Sequence, residues 1–257
     1  MKSGYLYIAT GEKYIEEALI SLRSLKQINK DAHATLITDK MMEVPEFDRI
    51  QILKFEKSEF KNWKEGILFK VLGLQDSPYQ KTFFVDTDTY FTSNCDQLFD
   101  LLDYFDLLIC HDQARNPKVV LGNKEIEGYE AYNTGVMVYQ KNDAINKLFS
   151  KWLTVYKEKN HLYPHDQPPL MEALLSVHVK IYTLPLEYNF RFGFFGYLKE
   201  NVKIIHGRPK DFKEVETKIN SIARVRVWLP DIQKNYLPKI NILNRVLKKI
   251  SSNRKTE

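Results

Sequence analysis

Thr82-Phe83-Phe84-Val85-Asp86-Thr87-Asp88-Thr89-Tyr90-Phe91 is the stretch on which the reading of this chain turns. Its first four residues, β-branched or aromatic, predict a buried strand, and that strand runs directly into two carboxylates one residue apart. Carboxylates beside a buried apolar strand are costly unless they are paired or bound to a cation. Their spacing across Thr87 aims both to the same side of an extended strand end. Hard oxygen donors of this kind suit Mg²⁺ or Mn²⁺, ions that also bridge phosphate oxygens. An Asx-turn at a strand end accounts for the same three residues, so the surrounding chain has to decide.

Upstream, residues 5–10 form a short apolar run ending at a glycine, which reads as a strand. Ile15, Leu19, Leu22, Leu25 and Ile28 follow at spacings of three or four, one face of a helix. Residues 34–39 and 50–55 read as strands, and 66–74 as a helix with Ile67, Val71 and Leu74 on one face. Downstream, strands are expected at 107–110, 135–139, 179–184 and 202–205, and helices at 143–157 and 168–175. Buried strands alternating with amphipathic helices predict an α/β fold, a mostly parallel central sheet with helices on both faces. Ligands bind such sheets beyond the carboxyl ends of the strands. Thr10, Asp39, Asp86 and Asp88 all fall at predicted strand ends of that kind.

The chain has 257 residues, 44% of them hydrophobic, enough to bury a substantial core and to exclude global disorder. The two cysteines, Cys95 and Cys110, lie in or beside apolar runs and read as buried thiols, not as a disulfide framework. Residues 1–5 run straight into a strand without a signal-peptide core, and no apolar run is long enough to span a bilayer. A cytoplasmic protein is expected. From residue 218 onward ten Lys or Arg face only Asp231 and Glu257, while the remainder is mildly acidic. The expected division is therefore a main domain over 1–215 and a basic tail over 216–257. In the tail, Ile240, Leu243, Leu247 and Ile250 share one helical face, with Lys239, Arg245, Lys248 and Lys249 largely elsewhere. Such a segment either lies on an anionic membrane surface, here the cytoplasmic face, or packs on the body. Nucleic acid fits poorly, since Trp228 and Tyr236 are the tail's few aromatics.

Six segments, taken in order, resemble the GT-A glycosyltransferases. The closest resemblance is to family 8, the group of glycogenin and the bacterial lipopolysaccharide galactosyltransferases. Ile8-Ala9-Thr10-Gly11 with Tyr14 is similar to that family's nucleotide-binding start, and Asp39 at the second strand end is assigned to the same side. Lys70 matches a basic residue that contacts the donor. Residues 84–89, Phe-Val-Asp-Thr-Asp-Thr, resemble the metal-binding segment, and Tyr132-Asn133-Thr134-Gly135-Val136 a segment lining the sugar pocket. His165-Asp166-Gln167 resembles the family's Asp-Gln pair, and Ile205-His206-Gly207 its closing histidine. The resemblance covers roughly residues 5–210 and implies a metal held by Asp86, Asp88 and His206, with a nucleotide-diphosphate sugar, UDP-linked, as donor. It implies a glycan, lipid-linked or protein acceptor and retention of the anomeric configuration. Two departures stand out: Thr87 where the family often has Ala, and Gly207-Arg208-Pro209-Lys210 in place of a longer glycine- and lysine-containing stretch.

Glycosyl transfer breaks a C–O bond while charge grows on the departing diphosphate. The metal, Lys70 and Arg208 are the groups expected to stabilise that charge, with Lys210 beside them. Asn133 is expected to bond a sugar hydroxyl, Thr134 to line the same pocket, and Gly135 to permit close approach. Asp166 is expected both to cap the helix that follows and to contact the sugar together with Gln167. Should the enzyme invert, Asp166 is the natural general base. Two other readings compete. A sugar-phosphate nucleotidyltransferase needs a glycine-rich loop after its first strand, and Ala9-Thr10-Gly11-Glu12-Lys13 has a single glycine. A catalytically silent nucleotide-sugar or glycan binder would have no use for an intact Asp86, Asp88 and His206 set.

Overall fold

The structure is a computed structural model that describes residues 2–54, 63–114, 119–121, 124–126, 128–159, 161–163 and 165–237. In chain order the first half holds β1 (Ser3–Ile8), α1 (Glu12–Ile28), β2 (Ala34–Thr38), β3 (Arg49–Ile52), α2 (Trp63–Gln75), β4 (Lys81–Val85) and β5 (Thr89–Phe91). The middle holds α3 (Leu98–Leu101), β6 (Leu107–His111), a hairpin of β7 (Val119–Leu121) and β8 (Lys124–Ile126), β9 (Tyr132–Gln140), α4 (Asp143–Lys159) and α5 (Gln167–Leu174). The last part holds β10 (Ile181–Leu184), β11 (Phe190–Arg191), β12 (Gly196–Leu198), β13 (Ile204–His206), α6 (Phe212–Ile219), β14 (Arg226–Leu229) and β15 (Lys234–Tyr236).

Seven strands form the central sheet in the order β10-β6-β9-β4-β1-β2-β3. Side chains alternate between its faces, as a pleated strand requires. Tyr5, Tyr7, Phe83, Val85, Val136 and Val138 pack with Ile15, Ala18, Leu22 and Leu25 of α1 on one face. Leu6, Phe84, Met137 and Tyr139 pack with α2, α4 and α5 on the other, around Phe69, Leu74, Phe149, Trp152 and Leu170. Because both faces are covered, the strands read as unbroken apolar runs. The expected α/β layering with a mainly parallel sheet is therefore present.

One strand runs against the others. β9 pairs antiparallel with both β4 and β6, and it begins at Tyr132, so Asn133, Thr134 and Gly135 are strand residues and not a turn. The reversal brings the start of β9 to the same edge at which β1, β2 and β4 end. Positions from four strands therefore meet at one rim. Cys95 and Cys110 are free and buried, as expected.

Two small sheets extend that rim. β11, β13 and β5 form one, with β13 antiparallel to β5 so that His206 lies opposite Thr89. β12, β14 and β15 form the other. Tyr90, Phe190, Leu198, Ile205, Val215, Ile219 and Trp228 close a third cluster between them. The Asp211 side chain caps α6, accepting from the backbone N–H groups of Lys213 at 2.7 Å and Glu214 at 3.2 Å. A division at residue 215 cuts through α6, and the chain stays packed beyond it, since Ile219, Arg226 and Trp228 are all fully buried. The amphipathic stretch 239–250 lies outside the described residues. No described helix is long and apolar enough to cross a membrane.

Candidate active site

A cavity of about 1230 Å³ opens at this rim. Its wall includes the ends of β1 and β2 through Ala9, Thr10 and Asp39, with Tyr14 from α1. Asp86, Thr87 and Asp88 enter where β4 gives way to β5, Lys70 comes from α2, and Asn133, Thr134 and Gly135 from β9. Asp166 and Gln167 at the start of α5 and His206 and Arg208 beyond β13 complete the set. Of the residues given a role at the site in the sequence reading, only Gly207 and Lys210 are not on the wall. Gly207 has φ of 124°, a conformation L side chains rarely adopt, and its N–H donates to the Asp88 carbonyl at 2.8 Å. It thus fixes the approach of β13 to the aspartates. Lys210 is exposed on the following turn.

The antiparallel register of β5 and β13 carries His206 to the two aspartates across some 120 positions of chain. His206 Nε2 lies 3.4 Å from Asp88 Oδ1 and 3.9 Å from Asp86 Oδ2. One donor atom from each of Asp86, Asp88 and His206 fits within a 4.8 Å spread. Donors sharing one cation at about 2.1–2.3 Å lie no more than roughly 4.5 Å apart, so small side-chain rotations close the set. Two carboxylate oxygens and an imidazole nitrogen suit Mn²⁺ or Mg²⁺, and the residues present fit the expected ion.

Each aspartate turns its second oxygen to a fixed cation. Lys70 Nζ is 2.9 Å from Asp86 Oδ1 and 3.2 Å from Asp166 Oδ2. It also donates to Thr134 Oγ1 at 3.1 Å. Arg208 Nη1 is 2.9 Å from Asp88 Oδ2, while its Nε and Nη2 grip Glu17 at 2.8 and 2.9 Å. Burial raises the Asp88 carboxyl, but His206, when its ring is protonated, together with Arg208 outweighs it and brings it down to about 2. Burial raises the Asp86 carboxyl, against the pull of Lys70 and His206. Burial also opposes the charge on Lys70, and Asp166 and Asp86 more than offset it, so the ammonium is raised overall. Lys70 holds Asp166 below the usual carboxylate range despite its burial, with help from the Thr134 hydroxyl at 2.6 Å.

The cap expected of Asp166 is absent. Its backbone is already helical, φ −80° and ψ −20°, and its side chain makes no capping bond. The carboxylate is committed to Lys70 and Thr134 instead. What Asp166 gives the helix is its carbonyl, which accepts from Leu170 N–H at 3.3 Å and from Trp152 Nε1 at 2.9 Å. Gly135 does permit a close approach, but of a protein side chain. A Cβ there would meet Cε1 of His206 at 2.3 Å and Nδ1 at 2.8 Å.

Several residues on or just behind the cavity wall escaped the sequence reading. Glu17 accepts from Thr87 Oγ1 at 3.1 Å besides holding Arg208. Asp112 is 4% exposed; it accepts from Arg191 Nη1 at 2.8 Å and from Gln167 Nε2 at 3.2 Å, and so orients the Gln167 amide. Arg191 lies against the Phe194 ring, 4.1 Å from its centroid. Asn189, outside the wall, reaches His206 from behind. The one available signal is that each is a polar residue at or next to a strand end or helix face on the rim, which is legible once topology is known.

In fold, the chain is similar to the glycosyltransferase GlyE of Streptococcus pneumoniae, with a TM-score of 0.56, 16% identity, 91% of this chain covered and 59% of that one. Mouse xyloside xylosyltransferase 1 gives a TM-score of 0.52 at 14% identity, covering 81% of this chain and 98% of its own. LgtC, solved as an active-site mutant, gives 0.54 at 12% identity, with 73% and 75% covered. The chain thus spans little more than half the length of GlyE. No curated protein matches it in sequence. A family profile, described as nucleotide-diphospho-sugar transferase, matches residues 80–218, from the start of the aspartate strand to α6. That is more than half of the chain and takes in both aspartates, the start of β9, Asp166 and His206, so the chain belongs to the nucleotide-diphospho-sugar transferase family.

Proposed function

We propose that this protein is a metal-dependent glycosyltransferase that moves a sugar from a nucleotide-diphosphate sugar, with UDP as the nucleotide, to a hydroxyl of a glycan, lipid-linked or protein acceptor. The observation that carries this is the convergence of Asp86, Asp88 and His206 at the wall of a cavity large enough for such a donor. A divalent cation held by these three supplies the positive charge that a diphosphate leaving group requires. Lys70 and Arg208 stand on either side of that position, each on the outer oxygen of one aspartate, and add fixed charge where the diphosphate departs. Ala9, Thr10, Tyr14 and Asp39 take the nucleotide end, and Asn133, Thr134, Asp166 and Gln167 the sugar end.

The state of Asp166 favours retention. A general base near neutral pH works best with a raised pKa, and this carboxylate is held low by a lysine in direct contact. Gln167, oriented by Asp112, is then the group nearest in kind to face the sugar. The acceptor reading connects with the basic stretch 239–250, whose charge and periodicity suit an anionic membrane surface and hence a lipid-linked acceptor.

The direct test is a thermal-shift series with UDP-, GDP- and TDP-sugars, with and without Mn²⁺, followed by an assay for released nucleoside diphosphate. A ligand at a hundred times its Kd stabilises by about 2.7 kcal/mol. UDP-sugar with Mn²⁺ is expected to raise Tm in the native chain and to leave Asp88→Asn unmoved. No shift with any donor, or full transfer activity in Asp88→Asn, rejects the assignment. The anomer of the product, read by NMR, separates retention from inversion.

A further inference from the structure

Behind His206 a run of hydrogen bonds has only one chemically consistent direction. It starts at the backbone N–H of Gly135, which can only donate, and which lies 3.0 Å from the Asn133 side-chain oxygen. An amide NH₂ cannot accept there, so the Asn133 atom is Oδ1. That oxygen is also 2.8 Å from the Asn189 amide. Two carbonyl oxygens cannot share a hydrogen bond, so Asn189 presents Nδ2 to Asn133 and Oδ1 to its other neighbour. That neighbour is His206 Nδ1, at 2.8 Å. An oxygen acceptor at that distance needs a proton on Nδ1, which leaves the lone pair of the neutral ring on Nε2. Nε2 is the atom that faces Asp86 and Asp88.

We infer that Asn189 is a positioning residue, one that fixes the tautomer and ring orientation of His206 so that Nε2 is held ready for a divalent cation. Three features make the relay rigid. Asn133, Asn189 and His206 are 5%, 2% and 8% exposed, so water does not compete for these bonds. Each comes from a different element: β9, the junction before β11, and β13. The missing side chain at Gly135 leaves the space that the imidazole occupies. Ligating histidines depend on such an outer bond, and its loss typically weakens metal binding about 10- to 100-fold.

The tautomer is measurable without metal or substrate. In the full chain labelled with ¹⁵N-histidine and freed of metal, at alkaline pH where imidazole is neutral, long-range ¹H–¹⁵N spectra distinguish a protonated Nδ1 from a protonated Nε2. His206 is expected to carry its proton on Nδ1. Asn133→Asp, which keeps the accepting oxygen, is expected to preserve that state, and Asn189→Leu to lose it. Calorimetric titration with Mn²⁺ alone is expected to give a Kd about 10- to 100-fold weaker in Asn189→Leu than in the native chain. A proton on Nε2 in the native chain overturns the inference, even should Asn189→Leu fail to fold. So does a folded Asn189→Leu that binds Mn²⁺ as tightly as the native chain. The Mn²⁺ arm rests on the proposed metal role and the tautomer arm does not. A native chain with Nδ1 protonated but no affinity for Mn²⁺ overturns the metal reading and upholds the assignment of Asn189.

Discussion

Lys70 lies between Asp86 and Asp166, its side chain only 13% exposed, and each carboxylate depends on it for charge balance. Removing one member of a buried ion network leaves the others unpaired, at a cost of about 3–5 kcal/mol. Lys70→Met is therefore expected to lower unfolding stability by about 3 kcal/mol in urea titrations. The double variant Lys70→Met/Asp166→Asn is expected to recover part of that loss, because one orphaned charge is gone. Equal stability of the native chain and Lys70→Met would mean that water, not the lysine, solvates the two carboxylates. The sequence made Lys70 legible through resemblance alone, since nothing in its helical spacing separates it from a surface lysine. Glu17 was illegible for a different reason. Its partner Arg208 lies 191 positions away, and no local pattern encodes a pairing that only the closed rim creates.

At the scale of elements, the apolar runs located the strands of the central sheet, missed most of the short strands outside it, and left directions open. A strand buried on both faces has the same composition whichever way it runs, so the antiparallel course of β9 had no signature. That course matters for the site. It delivers the beginning of a strand, Asn133 to Gly135, to a rim otherwise built from strand ends, and packs Gly135 against the ring of His206 carried by β13. Gly135→Ala tests this arrangement. The added Cβ, 2.3 Å from Cε1, forces the imidazole aside, while the backbone bond from Asp86 N–H to the Gly135 carbonyl, 2.7 Å, asks for no change. The overpacking is expected to cost about 1–3 kcal/mol of stability, and Mn²⁺ affinity measured by calorimetry is expected to fall well beyond that of a general destabilisation. Native Mn²⁺ affinity in this variant would show that the ring has another place to go.

For the molecule as a whole, charge composition set the start of the tail at residue 216, and the chain stays packed on the body through Trp228. Composition records where lysines and arginines lie but not which are buried, and Arg226 is fully buried. Its guanidinium donates to the carbonyls of Ile219 and Glu200, each at 2.8 Å, and Trp228 Nε1 donates to Phe192 at 2.7 Å. A chain ending at residue 215 loses Ile219, Arg226 and Trp228 together. Deleting one buried Trp side chain costs about 3–5 kcal/mol, against a total of about 5–15 kcal/mol for a typical domain. Residues 1–215 are therefore expected to melt without a sharp transition by circular dichroism, and residues 1–237 to melt close to the full chain. The same boundary governs the membrane question, since only a truncation that leaves the third cluster intact removes the basic segment without unfolding its support. The full chain is expected to co-sediment with vesicles containing anionic phosphatidylserine and not with neutral ones, and residues 1–237 with neither. Raising the salt to about 1 M shrinks the screening length to about 3 Å, and is expected to release the full chain. Equal sedimentation of the two chains with anionic vesicles would take the membrane role away from residues 238–257 and return it to the folded body.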